Sequence, residues 1–311
     1  MNVTSQYVAN PKSRKIYSLS LASHQSICTT TTKLRLGEDR QFLNLKNKNN
    51  FFKVSGITFK MIICPKGDFI MGSDVEEDNN PKHISSINKP FLLGETAVTQ
   101  ELFEKVMGFK GYNRNNSQDV NSQNSKQNPI ENVTWYDALM FCNKLSSKMG
   151  RTPYYNISNI KHKLDRNKNK TPAIDKAVVT INHRANGFRL PLEKEWEYAA
   201  RAGTNNRWAG TNDPKRLGEI AWYKDNSEHK THPVKGKRPN EWGFYDMSGN
   251  VEEWCWDRFE NDSEISYSIV RICRGGSFHD EPDEVQITRR FAGSPNDFYR
   301  HGFRVALSLF N

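Results

Sequence analysis

The sequence lacks any pair of cysteines at zinc or redox spacing. Its five cysteines, Cys28, Cys64, Cys142, Cys255 and Cys273, are widely scattered. That excludes a zinc ribbon, a CxxC centre and a dense disulfide framework. An odd number of isolated thiols fits a reducing compartment, or cysteine buried as a small apolar residue. Long apolar runs are also missing. The longest, around Met61-Ile-Ile-Cys64, is too short to cross a bilayer. Ser18–Ser23 is interrupted by His24 and Gln25 before it could form the apolar core of a secretion signal. A cytoplasmic protein with no membrane span is therefore expected. Hydrophobic residues make up only 36% of the chain, yet 17 Phe, 11 Tyr and 7 Trp can fill an aromatic core. This points to a loop-rich globular protein, not a disordered one.

Acidic residues are scarce at the N-terminus. Residues 1–60 hold ten Lys or Arg against Glu38 and Asp39, so most of the net charge of +10 sits there. Residues 1–56 are read as a flexible basic extension, and contact with nucleic acid through it is one candidate function.

An ordered domain is expected over 57–311, of α+β class. Phe59–Cys64 reads as a strand, Pro65-Lys-Gly67 as a turn, Phe69–Met71 as the returning strand of a hairpin, and Phe91–Leu93 as a further strand. Thr99 caps a helix over 100–107 that Gly108 ends. Thr134 and Asp137 form a capping box for a second helix carrying Trp135, Leu139, Cys142, Leu145 and Met149 at helical spacing, stopped by Gly150. Residues 112–128 read as an exposed loop and 156–176 as a surface insertion, followed by a strand over Ala177–Ile181. A third helix follows Pro191, its first half favoured by Glu193, Glu195 and Glu197, and Gly203 ends it. Arg271–Ser277 and His301–Leu309 are the clearest later strands.

The stretch Trp242–Trp256 is the least generic. It gathers three Trp, a Tyr and a Phe around Asp246-Met-Ser-Gly-Asn250, followed by Glu252 and Glu253. Such a segment buries a large apolar area while aiming oxygen atoms inward.

Together with Gly67–Ser73, Glu95–Gln100, Pro129–Trp135, Asn186–Pro191, Glu195–Arg201, Arg274–Ser277 and Gly302–Arg304, this stretch resembles the formylglycine-generating enzyme family, also called sulfatase-modifying-factor domains. The resemblance spans about 57 to 309 and implies a C-type-lectin-like fold. The family's enzymes use copper and oxygen to oxidise a cysteine in a sulfatase peptide. The resemblance places their two copper thiols three and eight residues after the serine of Arg-Gly-Gly-Ser, where this chain has Asp280 and Val285. Asp with Val cannot replace a soft thiolate pair, so copper is not expected. Glu252 also departs from the pattern, standing where the family commonly has Trp. A related branch with iron takes its His ligands from an added helical domain. The eight His here are dispersed, and none forms a helical pair.

The resemblance further implies a structural calcium ion held by the Asp246 side chain, the Gly249 and Val251 carbonyls, and Glu253. Hard calcium suits such a donor set. It also places the family's ligand-facing surface at Phe278–Arg300. The residues expected to bind there are Phe278, His279, Asp280, Glu281, Arg289, Arg290, Phe291, Asp297, Phe298, Tyr299 and Arg300, a mixture of the aromatics and Arg found at interface hot spots. Lectin-like proteins diversified by retroelements vary this same segment. Glu281, Glu284 and Gln286 do not arise from adenine replacement in Asn-type codons, which argues against a hypervariable receptor. The leading expectation is a non-catalytic module binding a protein or small-molecule ligand. The alternatives are an oxidoreductase using Cys255 or Cys273, and the nucleic-acid reading above.

Overall fold

The computed structural model describes residues 50–74, 81–110, 126–163, 174–259 and 270–309. These belong to one compact unit, Asn50–Asn311. The basic N-terminal segment and most of the 112–128 loop lie outside the described residues.

Order starts earlier than the expected Ile57. Strand β1 (Phe51–Val54) pairs antiparallel with β2 (Ile57–Cys64) through the two-residue turn Ser55-Gly56. Both turn residues are left-handed, φ 48° and 86°, as the tight hairpin turn matching strand twist requires. The first strand of the domain therefore lies inside the expected 1–56 extension.

Strand β2 next pairs with β5 (Phe91–Gly94), and β5 with β12 (Ala306–Ser308), giving the order β1-β2-β5-β12. The expected hairpin between Phe59–Cys64 and Phe69–Met71 therefore does not form. β3 (Gly67–Met71) pairs instead with β4 (His83–Ile87). Both edges of β2 are already occupied, so the chain must leave the sheet at Pro65. The described part of the expected surface insertion is a separate, largely exposed antiparallel ribbon of β6 (Tyr155–His162) and β7 (Ile174–Ile181). A second four-stranded sheet has the order β10-β9-β8-β11, from β8 (Glu252–Arg258), β9 (Arg271–Arg274), β10 (Arg290–Gly293) and β11 (His301–Gly302), with β11 parallel to β8.

Three main helices sit where caps and periodicity put them. In α1 (Gln100–Met107), Thr99 Oγ1 accepts from the Leu102 amide and Gly108 is left-handed, while Leu102, Phe103, Val106 and Met107 are buried. In α2 (Trp135–Lys148) both halves of the Thr134–Asp137 capping box are present. In α3 (Glu193–Arg201), Ala202 takes the left-handed terminal position ahead of Gly203. Trp196, Ala199 and Ala200 of α3 meet Phe91, Leu93, Phe244, Met247, Cys255, Ile272 and Ala306 in one core, joining the helix to both sheets through the aromatic stretch. The result is a mixed α+β fold, rich in loops.

Candidate functional site

The second sheet has two faces because side chains alternate along a strand. One face carries Glu253, Cys255 and Arg274 into the core; the other carries Glu252, Trp254 and Cys273 toward the 278–300 segment.

On the core face the charged residues of the recurring motifs form buried ion pairs. Arg304 meets Glu253 at two points, Nε to Oε2 at 2.6 Å and Nη2 to Oε1 at 2.7 Å, while Trp196 Nε1 donates to Oε2 at 2.8 Å. Its remaining N–H groups reach the carbonyls of Gly94 and Tyr245. Arg274, fully buried, bonds Glu197 at 2.5 Å and the carbonyls of Ile287, Thr288 and Arg289. Glu197 also binds Arg201 and the Gly72 amide, and Glu195 takes Arg189 bidentately at 2.7 Å. The glutamates of α3 thus support its N-terminus, as expected, but they are buried and paired rather than solvated.

The Asp246–Asn250 turn is held by left-handed backbone at Asp246, Gly249 and Asn250. A side chain at Gly249 would place its Cβ 2.1 Å from the Trp222 carbonyl oxygen, so only glycine fits. Asn250 clamps neighbouring loops: its amide donates to Trp222, its carbonyl accepts from Phe278, and its side chain bonds His232 in both directions.

Asp246 is buried, and among the described residues its carboxylate accepts from the Lys235 amide at 3.1 Å and Asn250 Nδ2 at 3.4 Å. Burial pushes its pKa up to about 6, the signature of a carboxylate short of compensating positive charge. Asp246 fits a hard cation, as do the carbonyls of Gly249 and Val251. Glu253 fits less well than expected, because three N–H groups from Arg304 and Trp196 already occupy most of its acceptor sites.

The expected ligand-facing residues separate into two groups. Phe278 is buried, and Asp280 Oδ2 accepts from both the amide and the hydroxyl of Ser277 at 2.7 and 2.8 Å. Val285 lies fully buried among Trp208, Leu217, Ile220 and Ala221. Both positions matched to copper thiols therefore serve the fold. Arg290 is drawn to Glu193 at 2.8 Å and lies over Phe259, and Phe291 pairs in register with Cys273. Arg289 is half-buried and gives its carbonyl to Arg274. Asp297 Oδ1 accepts from the amides of Phe298 and Tyr299, and Lys163 Nζ lies 5.2 Å from the Phe298 ring. Phe278, Asp280 and Arg290 are thus engaged within the fold, while Arg289, Phe291, Asp297 and Phe298 are half-buried.

What remains outward forms a compact patch. His279 Nδ1 is 3.4 Å from His229 Nδ1, Glu281 pairs with Lys224, and Arg300 stacks 4.3 Å over Tyr299 while its Nη1 lies 3.5 Å from Asp280. His229 partners His279, not His232, which stacks on Trp222 at 3.8 Å. Sequence reasoning missed His229 because 50 residues separate it from the patch and no local pattern marks it. Cavities of about 230 and 150 Å³ lie elsewhere, the first beside Tyr155, Arg189 and Trp256, the second beside Phe59, Glu95 and Lys235. Burial pushes the Cys255 and Cys273 thiols well above the usual range, opposite to what a thiolate nucleophile needs. Among the described residues no helix is long and apolar enough to cross a membrane.

A family model, the sulfatase-modifying factor enzyme 1-like domain, matches residues 52–309. The chain is 37% identical over 223 residues to the chaperone protein LppX of Paenibacillus barcinonensis, covering 64% of this chain and 72% of that protein. It is 27% identical over 283 residues to the inactive C-alpha-formylglycine-generating enzyme 2 of Bos taurus, covering 81% and 89%. Among solved structures, Treponema denticola variable protein 1 superposes with a TM-score of 0.69 at 33% identity, covering 83% of this chain and 98% of that one.

Proposed function

This chain belongs to the sulfatase-modifying factor enzyme 1-like family, and from that premise we propose that it is a non-catalytic member that binds a polypeptide partner on the open face around His279, Glu281, Tyr299 and Arg300. One observation carries the reading. Asp280 and Val285, which take the places of the copper thiols, are committed to the Ser277 turn and to a small apolar core. The scaffold is kept while the donor atoms for the family's chemistry are absent from their positions. Similarity to a relative named inactive, one named a chaperone and one named a variable protein supports a binding role. An exposed tyrosine under an arginine supplies the residue types enriched at protein-interface hot spots.

The test is binding of the purified chain to a peptide array. The expected result is a selective subset of bound peptides, weakened at least tenfold by the double substitution Tyr299→Ala and Arg300→Ala with the melting temperature unchanged. Equal binding by the variant would remove this face. Conversion of a cysteine peptide to an aldehyde in the presence of copper would overturn the non-catalytic reading.

Calcium at the Asp246 turn is the second part of this reading, supported by the buried and under-compensated Asp246 carboxylate. Its role is to neutralise Asp246 and hold the turn. Wild type is expected to melt roughly 2–8 °C higher in millimolar calcium than in chelator, corresponding to about 1–3 kcal/mol of linkage. In Asp246→Asn that difference should vanish. Thermal melts with no calcium dependence in wild type would dismiss the ion.

A further inference from the structure

On the outward face of the second sheet, three residues of different donor type come together from three neighbouring strands. Glu252 lies on β8, Cys273 on β9 and His301 on β11, and their ligating atoms all lie within 4.8 Å of one another. The sheet register brings this about: His301 is paired directly with Glu252, and Cys273 lies opposite Trp254, whose side chain shares Glu252's face. No local spacing in the sequence joins 252, 273 and 301.

We propose that Glu252, Cys273 and His301 form a binding site for a borderline divalent metal of the zinc class, with a fourth position left to water or a partner's side chain. The inference is independent of the partner-binding reading above. Sulfur, imidazole nitrogen and carboxylate oxygen are the three donors zinc takes in proteins, and three protein ligands with one open position is a recurrent arrangement. A tetrahedral ion with bonds of about 2.0–2.3 Å sets its donors about 3.3–3.8 Å apart. His301 Nε2 and Glu252 Oε2 lie 3.2 Å apart, and Cys273 offers its sulfur within 4.8 Å of both residues' donors, so a small shift brings the set to that spacing. A thiol in the set disfavours calcium and magnesium, which select oxygen.

His301 is buried, and its Nε2 faces Glu252. The surroundings are rigid and shaped for the ring. Trp254 packs against it at 4.2 Å and is itself anchored by its indole N–H to the Val133 carbonyl at 3.0 Å. Gly293 on the neighbouring strand makes room: a Cβ there would lie 2.4 Å from the Trp254 ring and 3.2 Å from His301 Cε1. Glu252 is the half-buried member and offers the way in from solvent. Asp297 adds negative charge near Cys273. In the free protein the thiol is protonated; a bound metal ionises it directly, releasing one proton.

Cobalt reports on such a site because a thiolate ligand produces a near-ultraviolet charge-transfer band and tetrahedral geometry produces intense visible bands. Reduced full-length protein, stripped with chelator, is titrated with cobalt. The expected result is saturation at one equivalent with both features, bleached by one equivalent of zinc and unaffected by calcium. Cys273→Ser should eliminate the charge-transfer band, and Glu252→Gln, which preserves size, should weaken cobalt binding at least tenfold. The exposed His229 and His279 provide the control, since replacing both with Ala should leave the spectrum unchanged. If Cys273→Ser fails to fold, Glu252→Gln still decides. A featureless titration, a band that survives Cys273→Ser, binding unchanged in Glu252→Gln, or a spectrum lost with His229 and His279 would overturn the proposal.

Discussion

Glu253→Ala is expected to lower stability by about 3–5 kcal/mol, in chelator as much as in calcium. The reason is Arg304. Its guanidinium has no exposure to solvent and is neutralised bidentately by Glu253. Truncating the glutamate leaves a buried cation with only the Gly94 and Tyr245 carbonyls, and strands the indole N–H of Trp196. Against a total folding free energy of about 5–15 kcal/mol, such a loss can prevent folding altogether. Urea unfolding of wild type and variant with and without calcium separates two causes. An equal loss in both conditions identifies the ion pair; a loss that disappears in chelator identifies Glu253 as chiefly a calcium ligand and overturns the ion-pair account. A double replacement, Glu253→Leu with Arg304→Met, should recover much of the loss, since apolar residues of similar volume often match a buried pair. Asp246→Asn is accordingly the informative probe for calcium, because it leaves the Arg304 pair intact.

Arg274→Ala should have an effect of similar size, about 3–5 kcal/mol, with an additional local consequence. Arg274 ties α3 through Glu197 to the carbonyls of Ile287, Thr288 and Arg289. Removing it leaves Glu197 to Arg201 and Gly72, and deprives three carbonyls of their donor. The 286–289 segment lies within the Phe278–Arg300 stretch that carries the proposed patch. Hydrogen exchange should therefore accelerate in 286–291 more than in α1, which does not touch Arg274. Uniform acceleration across both regions would show that the arginine contributes only to global stability.

The residues differ in how far their roles could be read from the sequence. Local signals were dependable where the determinant is local. Thr99, Gly108, Thr134 and Asp137 specify helix ends by hydrogen bonds within four residues, and they do so in the structure. Strand pairing was less legible. Phe59–Cys64 and Phe69–Met71 are both strands, but which edge each takes depends on β5 and β12, far along the chain. The motif glutamates show the same limit. Glu193, Glu195 and Glu197 at a helix start suggest a favourable dipole interaction, whereas their burial and their arginine partners depend on chain segments up to about 125 residues away.

The sequence alone determined the family, the α+β class, the aromatic centre at Trp242–Trp256 and the absence of a thiol pair at Asp280 and Val285, because motifs and side-chain chemistry are read in one dimension. Tertiary structure decided which charged residues are internal and which face outward: Phe278, Asp280 and Arg290 are engaged within the fold, and His229 meets His279. It also brought Glu252, Cys273 and His301 together, through a parallel pairing of β11 with β8 and an antiparallel pairing of β9 with β8. Sheet register is set by long-range packing of alternating faces, and that is why the departure at Glu252 reads as a lost aromatic in the sequence and as a possible donor in the fold.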